Sequence, residues 1–216
     1  MLSIFQVGGF KTIRDRAATV AVGDNMIVLG GRDQEGTELI SFEIYDSGSN
    51  SWKLKPEWEM ARGRYSFCAA PINDTALLLI GGYSQSEALS TVELLDIKTG
   101  RWEKLADLPQ PRYGHSCLLM ELAGQQGVLV SGGALTGSDV DFYDIKAGKW
   151  KSMPPLMYRT DGHKMVLIEG IPTVFSWEHI EQFDGQQWIN ADIKLSKSRS
   201  AFAVTTIPGH LVRGCE

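Results

Sequence analysis

The stretch that decides the fold is residues 76–102, which read ALLLIGGYSQSEALSTVELLDIKTGRW. An apolar run of strand length ends at Gly81-Gly82, a second run ends at Asp96, and Trp102 follows six residues later. The residues between the runs are turn formers, and neither run has a helical period. This order of features predicts antiparallel strands joined by tight turns.

The same ordered features recur along the chain at a period close to 50 residues. The other glycine pairs are Gly8-Gly9, Gly30-Gly31 and Gly132-Gly133. The aspartates that precede a tryptophan by six residues are Asp46, Asp96 and Asp144, before Trp52, Trp102 and Trp150. A fourth copy is eroded, because IEQFDGQQW keeps Asp184 and Trp188 but IPTVFSW stands where a glycine pair is expected. A fifth copy begins at SRSAFAVTTI and is incomplete.

Each repeat has room for four short strands. In the second repeat we predict them at Phe67–Pro71, Ala76–Ile80, Thr91–Leu95 and Trp102–Leu105. A sheet of four antiparallel strands has two apolar faces, so the sheets must pack side by side around an axis to bury them. The tryptophans are expected to fill the gaps between neighbouring sheets, and the aspartates to accept backbone N–H groups in the turns.

The ordered set of arginine, Gly-Gly, aspartate and tryptophan resembles the kelch repeat, whose period is about 50 residues. The resemblance covers about residues 14–207 and implies an all-β, kelch-type β-propeller of four-stranded antiparallel blades within one domain, 1–216. Four fairly complete repeats span about 14–61, 62–111, 112–158 and 159–198, with partial ones at 1–13 and 199–216. Two interpretations of the ends stay open. Residues 200–207 complete a shared fifth blade with the N-terminus, or the chain is a fragment of a longer propeller, most often six-bladed in this family.

Composition limits the classes of function. The chain has 216 residues, of which 43% are hydrophobic and 22% charged, with a formal net charge of −5. An acidic chain is a poor candidate for nucleic-acid binding, and no apolar stretch has the ~18 residues of a membrane helix. The N-terminus does not resemble a signal peptide, and we expect a cytoplasmic protein. The three cysteines, Cys68, Cys117 and Cys215, are expected to be free thiols rather than a disulfide framework.

Arginine placement suggests a binding face. The arginines that stand just before a predicted first strand are Arg14, Arg16, Arg62, Arg64, Arg112, Arg159 and Arg199. Repeated placement in a propeller predicts a ring on one face, whose members either bond backbone carbonyls between blades or point into the central mouth. Guanidinium groups at the mouth would favour carboxylate-bearing peptides. By the resemblance, the residues after each glycine pair also lie near the mouth; they are Phe10, Arg32, Tyr83 and Ala134.

Catalytic motifs are mostly missing from the sequence, and we assign no catalytic residue, metal site or cofactor. His115 and His163 occupy equivalent places and are expected to brace the fold, although His115 is also a candidate binding residue at the face. The string Glu178-His179-Ile180-Glu181 supplies too few ligands on one face of a strand for a metal ion.

Three hypotheses about function follow. The first is a protein-interaction module that binds an acidic or polar peptide at the arginine-bearing face. The similarity to BTB–kelch and F-box–kelch proteins implies substrate recognition in a ubiquitin-ligase complex, or a cytoskeletal complex, although no BTB, BACK or F-box segment is recognisable in these residues. The second is a carbohydrate-processing enzyme similar to the sialic-acid epimerases, which also use a kelch propeller. The third is a degenerate fragment without a function of its own.

Overall fold

The structure is a computed structural model, and it describes residues 9–191. Their regular secondary structure is β-strand apart from one short 3₁₀ helix at Pro56–Trp58. The strands of the first two sheets are β1 Ala18–Val22, β2 Asn25–Leu29, β3 Phe42–Asp46 and β4 Ser51–Leu54, then β5 Cys68–Asn73, β6 Ala76–Ile80, β9 Val92–Asp96 and β10 Arg101–Lys104. A small hairpin, β7 Tyr83–Ser84 and β8 Glu87–Ala88, leaves the second sheet. The remaining two sheets are β11 Ser116–Leu122, β12 Gln125–Ser131, β13 Val140–Asp144 and β14 Lys149–Met153, then β15 Lys164–Ile168, β16 Ile171–Phe175, β17 Ile180–Phe183 and β18 Trp188–Asn190.

Each sheet is a blade of four antiparallel strands, and we number the blades 1 to 4 along the chain. The innermost strands of consecutive blades (β1, β5, β11 and β15) contact one another in order. The predicted all-β propeller fold is therefore confirmed. The strand Ala76–Ile80 has the bounds expected from the sequence, and the other strands of that repeat differ by one or two residues at their ends.

Three apolar cores lie between the blades rather than inside them. Phe42 of blade 1 packs with Leu77 and Leu95 of blade 2. The core between blades 2 and 3 is built by Ile80, Val92, Val128, Val130 and Tyr143. The core between blades 3 and 4 is built by Leu129, Phe142, Val174, Phe183 and Trp188. No blade can bury its faces alone, so the blades stabilise one another.

In blades 2 to 4, the tryptophan lies against the blade before it. Trp102 of blade 2 meets the ring of Phe42 at 6.0 Å, and Trp150 of blade 3 donates its indole N–H to the Ala106 carbonyl at 2.9 Å. Trp188 of blade 4 is buried in the core that blade 4 shares with blade 3. The expectation that indoles fill the gaps between sheets is confirmed for these three residues.

The glycine pair allows the next blade to approach. Gly81 and Gly82 have φ of 57° and 104°, the left-handed region that favours glycine. The N–H of Gly82 donates to the Arg112 carbonyl in the connector to blade 3 at 2.9 Å. A Cβ atom on Gly81 would lie 2.7 Å from that same carbonyl, so a side chain there would separate the blades.

The marker aspartates cap turns as expected. Asp96 accepts the backbone N–H groups of Lys98 and Thr99 at 2.8 and 3.0 Å. The bond from Thr99 is the main reason why the pKa of Asp96 lies below its usual value. Asp184 of the eroded fourth repeat accepts the equivalent N–H groups. The turn is therefore kept despite the shorter spacing between Asp184 and Trp188.

The expectation of free thiols is wrong for two cysteines. Cys68 at the start of β5 and Cys117 near the start of β11 form a disulfide, with their Cα atoms 5.9 Å apart. They are separated by 49 residues, about one repeat, so neighbouring innermost strands bring them together. Cys215, residues 1–8 and the segment 200–207 predicted to complete a fifth blade lie outside the described residues. Within residues 9–191, no helix is long and apolar enough to span a membrane.

Candidate functional site on the upper face

The loops of each blade leave the sheet on two sides. Because strands alternate in direction, the loops after the second strands emerge on the same side as the connectors between blades. We call this side the upper face. Its loops span 30–41, 81–91, 132–139 and 176–179, and its connectors span 55–67, 105–115 and 154–163. The opposite, lower face carries the short turns within each hairpin.

Three of the candidate arginines are buried below the upper face. The ion pairs that they form are Arg14–Glu43, Arg64–Glu93 and Arg112–Asp141. Their side chains are only 1%, 3% and 1% exposed, respectively. Each also donates to a backbone carbonyl of its own blade, as Arg14 does to Gly30 at 2.8 Å. These three guanidinium groups therefore brace single blades from inside and are not exposed at the upper face.

The other candidate arginines of residues 9–191 lie on the upper face, and Arg199 lies outside the described residues. Arg16 is exposed, and its guanidinium lies 5.8 Å from the ring of Tyr65. Arg32 is 3.3 Å from Asp15 and lies over Tyr65 at 4.5 Å. Arg62 binds Ser84 and Glu87, both at 2.8 Å. Neighbouring carboxylates thus offset the charges of Arg32 and Arg62.

Arg159 is exposed, and its guanidinium lies against Gly137 in the upper loop of blade 3. It does not occupy the place of the three buried arginines. Arg112 stands three residues before His115, and the residue three before the equivalent His163 is Thr160. The spacing from the preceding tryptophan had suggested that Arg159 is equivalent to Arg112. The spacing to the histidine shows instead that Thr160 holds that position.

Two candidate binding residues are placed differently from the expectation. Phe10 was expected near the mouth, but its ring lies 4.7 Å from Trp52 on β4, the outermost strand of blade 1. His115 is buried between blades 2 and 3, where Nε2 lies 3.1 Å from the Ile80 carbonyl. Burial lowers the pKa of His115 to about 3. His115 therefore acts as a brace, since no partner can reach it at the surface.

A row of tyrosines crosses the upper face. The ring of Tyr83 lies 5.5 Å from Tyr65 and 4.9 Å from Tyr113, measured between ring centroids. Backbone bonds between Tyr65 and Tyr83 fix this arrangement at 2.9 and 3.1 Å. All three tyrosines are partly exposed, and Arg32 lies over the outer ring of the series. We call Arg32, Tyr65, Tyr83 and Tyr113 the tyrosine row.

Sequence reasoning had found only half of this row. Tyr83 and Arg32 were candidates because they follow a glycine pair, whereas Tyr65 and Tyr113 were missed. The signal was present as a repeated Arg-Tyr dipeptide, at 64–65 and 112–113. The arginine of each dipeptide points into its blade, so the adjoining tyrosine is left at the surface.

Blade 4 has a pocket where the other blades have longer loops. Ser176 and Trp177 replace the glycine pair, and a tight turn returns the chain to β17 within residues 176–179. Trp177 is 55% exposed, and Tyr158 stacks on His179 with the rings 3.7 Å apart. The pocket has a volume of about 390 Å³, and its lining residues are Tyr158, Arg159, Thr160, Asp161, Ser176, Trp177, Glu178 and His179. No group of three metal-ligating side chains is found in the part of the chain that the structure describes.

Four-stranded blades joined through glycine pairs, with an indole wedged against each preceding blade, define a kelch-type β-propeller. Comparison with known sequences gives the same result. The chain belongs to the Kelch-repeats domain family, since the sequence profile of the KLHDC2/KLHL20/DRC7 Kelch-repeats domain matches residues 3–175.

Several curated proteins are similar to parts of the chain. F-box/kelch-repeat protein At4g19870 of Arabidopsis thaliana is 36% identical over 91 residues, which is 42% of this chain and 22% of the relative. Kelch-like protein 40 of Xenopus tropicalis is 29% identical over 103 residues, or 47% of this chain and 16% of the relative. Acyl-CoA-binding domain-containing protein 4 of Arabidopsis thaliana is 27% identical over 124 residues, or 56% and 18%. The matched part spans between 16% and 22% of these relatives.

Proposed function

We propose that this chain is a protein-interaction module that binds a partner along the tyrosine row of the upper face. The row carries the proposal because it offers three partly exposed tyrosine rings in continuous contact. Tyrosine and arginine are enriched among the residues that dominate binding energy at interfaces. Rigid aromatic side chains lose little conformational entropy on binding, which favours affinity.

The charges near the row favour a partner segment with an acidic side chain. Among residues 9–191, Arg16 forms no ion pair, whereas Arg32 and Arg62 each have a neighbouring carboxylate. A carboxylate of the partner could bind Arg16 beside Tyr65 with charge-assisted hydrogen bonds. The proposed preference for an acidic peptide therefore rests on the exposed Arg16 rather than on a ring of arginines.

A finer proposal concerns the assembly in which the module acts. Relatives named as F-box/kelch-repeat and Kelch-like proteins support a role as the substrate-binding part of a ubiquitin-ligase complex. A cytoskeletal complex is the alternative assembly. The cytoplasmic location stays a prediction, and microscopy of the tagged chain in cells tests it.

Proximity labelling in cells tests the proposed face. We expect Tyr83→Ala combined with Tyr113→Ala to lose the partners that the wild type labels, because the double substitution removes two adjoining rings of the row. The matched control is Lys98→Ala with Lys146→Ala, two exposed residues in lower-face turns. Equal thermal stability of the variants shows that both are folded. An unchanged set of partners in the tyrosine variant would exclude this face.

A further inference from the structure

Blade 4 keeps a carboxylate whose arginine is missing. In blades 1 to 3, the second residue of the third strand is acidic and binds the arginine that precedes the first strand; these residues are Glu43, Glu93 and Asp141. The equivalent residue of blade 4 is Glu181, the second residue of β17. At the arginine position of blade 4 stands Thr160.

The surroundings of Glu181 match those of Glu43 apart from the guanidinium. Glu181 is fully buried and accepts the backbone N–H groups of Met157 and Tyr158 at 2.6 and 3.3 Å. Glu43 accepts the two equivalent N–H groups at 2.6 and 3.0 Å, and also binds Arg14 at 2.7 Å. Within the described ranges Glu181 forms no ion pair, and burial raises its pKa above the usual value.

The blade 4 pocket opens onto the position that an arginine takes in the other blades. Its lining includes Thr160, at the arginine position, and Ser176, at the position of Gly30. The carbonyl of Gly30 accepts a hydrogen bond from Arg14 in blade 1. Glu181 itself is fully buried and is not among the lining residues, so a guanidinium that binds it must enter past Thr160 and Ser176.

The walls of the pocket suit a planar cation. Trp177 and the stacked pair of Tyr158 and His179 present aromatic faces. Guanidinium groups stack on aromatic rings and bind carboxylates through two parallel hydrogen bonds. Asp161 and Glu178 add carboxylates to the lining. Arg159 also lines the pocket, and its guanidinium lies against Gly137 of blade 3.

We propose that the blade 4 pocket binds an arginine side chain of a protein partner, with its guanidinium in the place that Arg14, Arg64 and Arg112 take in blades 1 to 3. The chain's own repeats provide the precedent, since the same strand position binds a guanidinium three times. This inference rests on the proposed interaction function, because the partner supplies the arginine. It adds a second contact point to the upper face, on blade 4, whereas the tyrosine row extends from blade 1 to the connector before blade 3.

Titration of the purified chain with N-acetyl-arginine methylamide tests the pocket without any protein partner. The readout is the indole N–H signal of Trp177 in NMR spectra, identified by its absence in Trp177→Phe. We expect saturable binding, and roughly tenfold weaker binding of the neutral citrulline analogue, because charge-assisted bonds are lost. Equal binding of the citrulline or lysine analogue, or no saturable response, would overturn the proposal.

Thr160→Arg supplies the missing guanidinium from within the chain. We expect this variant to weaken binding of the arginine amide by roughly tenfold or more, because its own side chain fills the site. Thr99→Arg, an exposed lower-face residue, adds the same charge without filling the pocket and should bind as the wild type does. Undiminished binding by Thr160→Arg would contradict the site. The tyrosine double variant tests the tyrosine row and leaves the blade 4 pocket intact. Either proposal can therefore fail without the other.

Discussion

At the scale of single residues, several charged and polar side chains of residues 9–191 are buried and stabilise the fold. The buried arginines Arg64 and Arg112 are paired with carboxylates, since an unpaired buried charge is strongly destabilising. His115 and His163 lie in the interfaces between blades, where His163 bonds Ser131 at 2.8 Å. These two arginines and two histidines therefore have structural roles.

The two buried histidines make stability depend on pH. Burial lowers the pKa of His115 to about 3 and that of His163 to about 4, from an ordinary value of 6.5. At pH values between each lowered pKa and 6.5, the unfolded chain binds more protons than the folded one. The free energy of unfolding therefore falls as the pH decreases below about 6.5. We expect a loss of about 2 kcal/mol per histidine near pH 5, by linkage from the two pKa values.

Urea unfolding at several pH values measures this loss. The double variant His115→Gln with His163→Gln should show a smaller difference between about pH 7 and pH 5 than the wild type. Its unfolding near pH 7 calibrates the cost of the substitutions themselves. The same pH difference in both proteins would contradict the assignment. Glu181 acts in the opposite direction, since its pKa is raised.

At the scale of elements, the contacts between blades carry the stability. The sequence predicted strands, turns and the indoles between sheets, because a period near 50 residues repeats the same local chemistry. It predicted Arg32 and Tyr83 as surface residues of the upper face, but not Tyr65, Tyr113 or the unpaired carboxylate of Glu181. Those features depend on which residues of a connector point into the blade and which stay at the surface. In one connector, Arg64 is buried, whereas the adjacent Tyr65 is partly exposed.

Truncation of an interblade indole measures this packing. Trp188→Ala should lower the free energy of unfolding by about 3–5 kcal/mol, since Trp188 is buried between two blades. Trp102→Ala should cost less, because Trp102 is only partly buried. Trp177→Ala is the control, and its exposed ring should give a change within about 0.5 kcal/mol. Equal costs for Trp188 and Trp177 in denaturant titrations would refute this account.

At the scale of the whole molecule, the disulfide joins blades 2 and 3 at their innermost strands. The sequence suggested free thiols, because the number of cysteines is odd and Cys68 and Cys117 lie in apolar, strand-like runs. The pairing instead depends on the propeller geometry, which brings residues one repeat apart into contact. An alignment of the repeats places Cys68 and Cys117 one residue out of register, so only the contact between strands reveals the pair.

Reduction should therefore destabilise the propeller. The disulfide closes a loop of 49 residues, for which chain entropy gives a stabilisation of about 4 kcal/mol. We expect reductant to lower the denaturation midpoint of the wild type and to leave Cys117→Ser unchanged. Cys215→Ser keeps the pair and should respond to reductant as the wild type does. A wild-type midpoint that ignores reductant would rule out a stabilising bond.

The position of this bond also determines how the chain responds to proteolysis. The hairpin tip at Gln85 and Ser86 is exposed and lies between the two cysteines in the sequence. A single nick at this tip would leave two fragments linked through sulfur as well as through the β-sheet. On a denaturing gel the nicked chain would migrate as one species, and it would separate into two bands only after the sample is treated with a thiol.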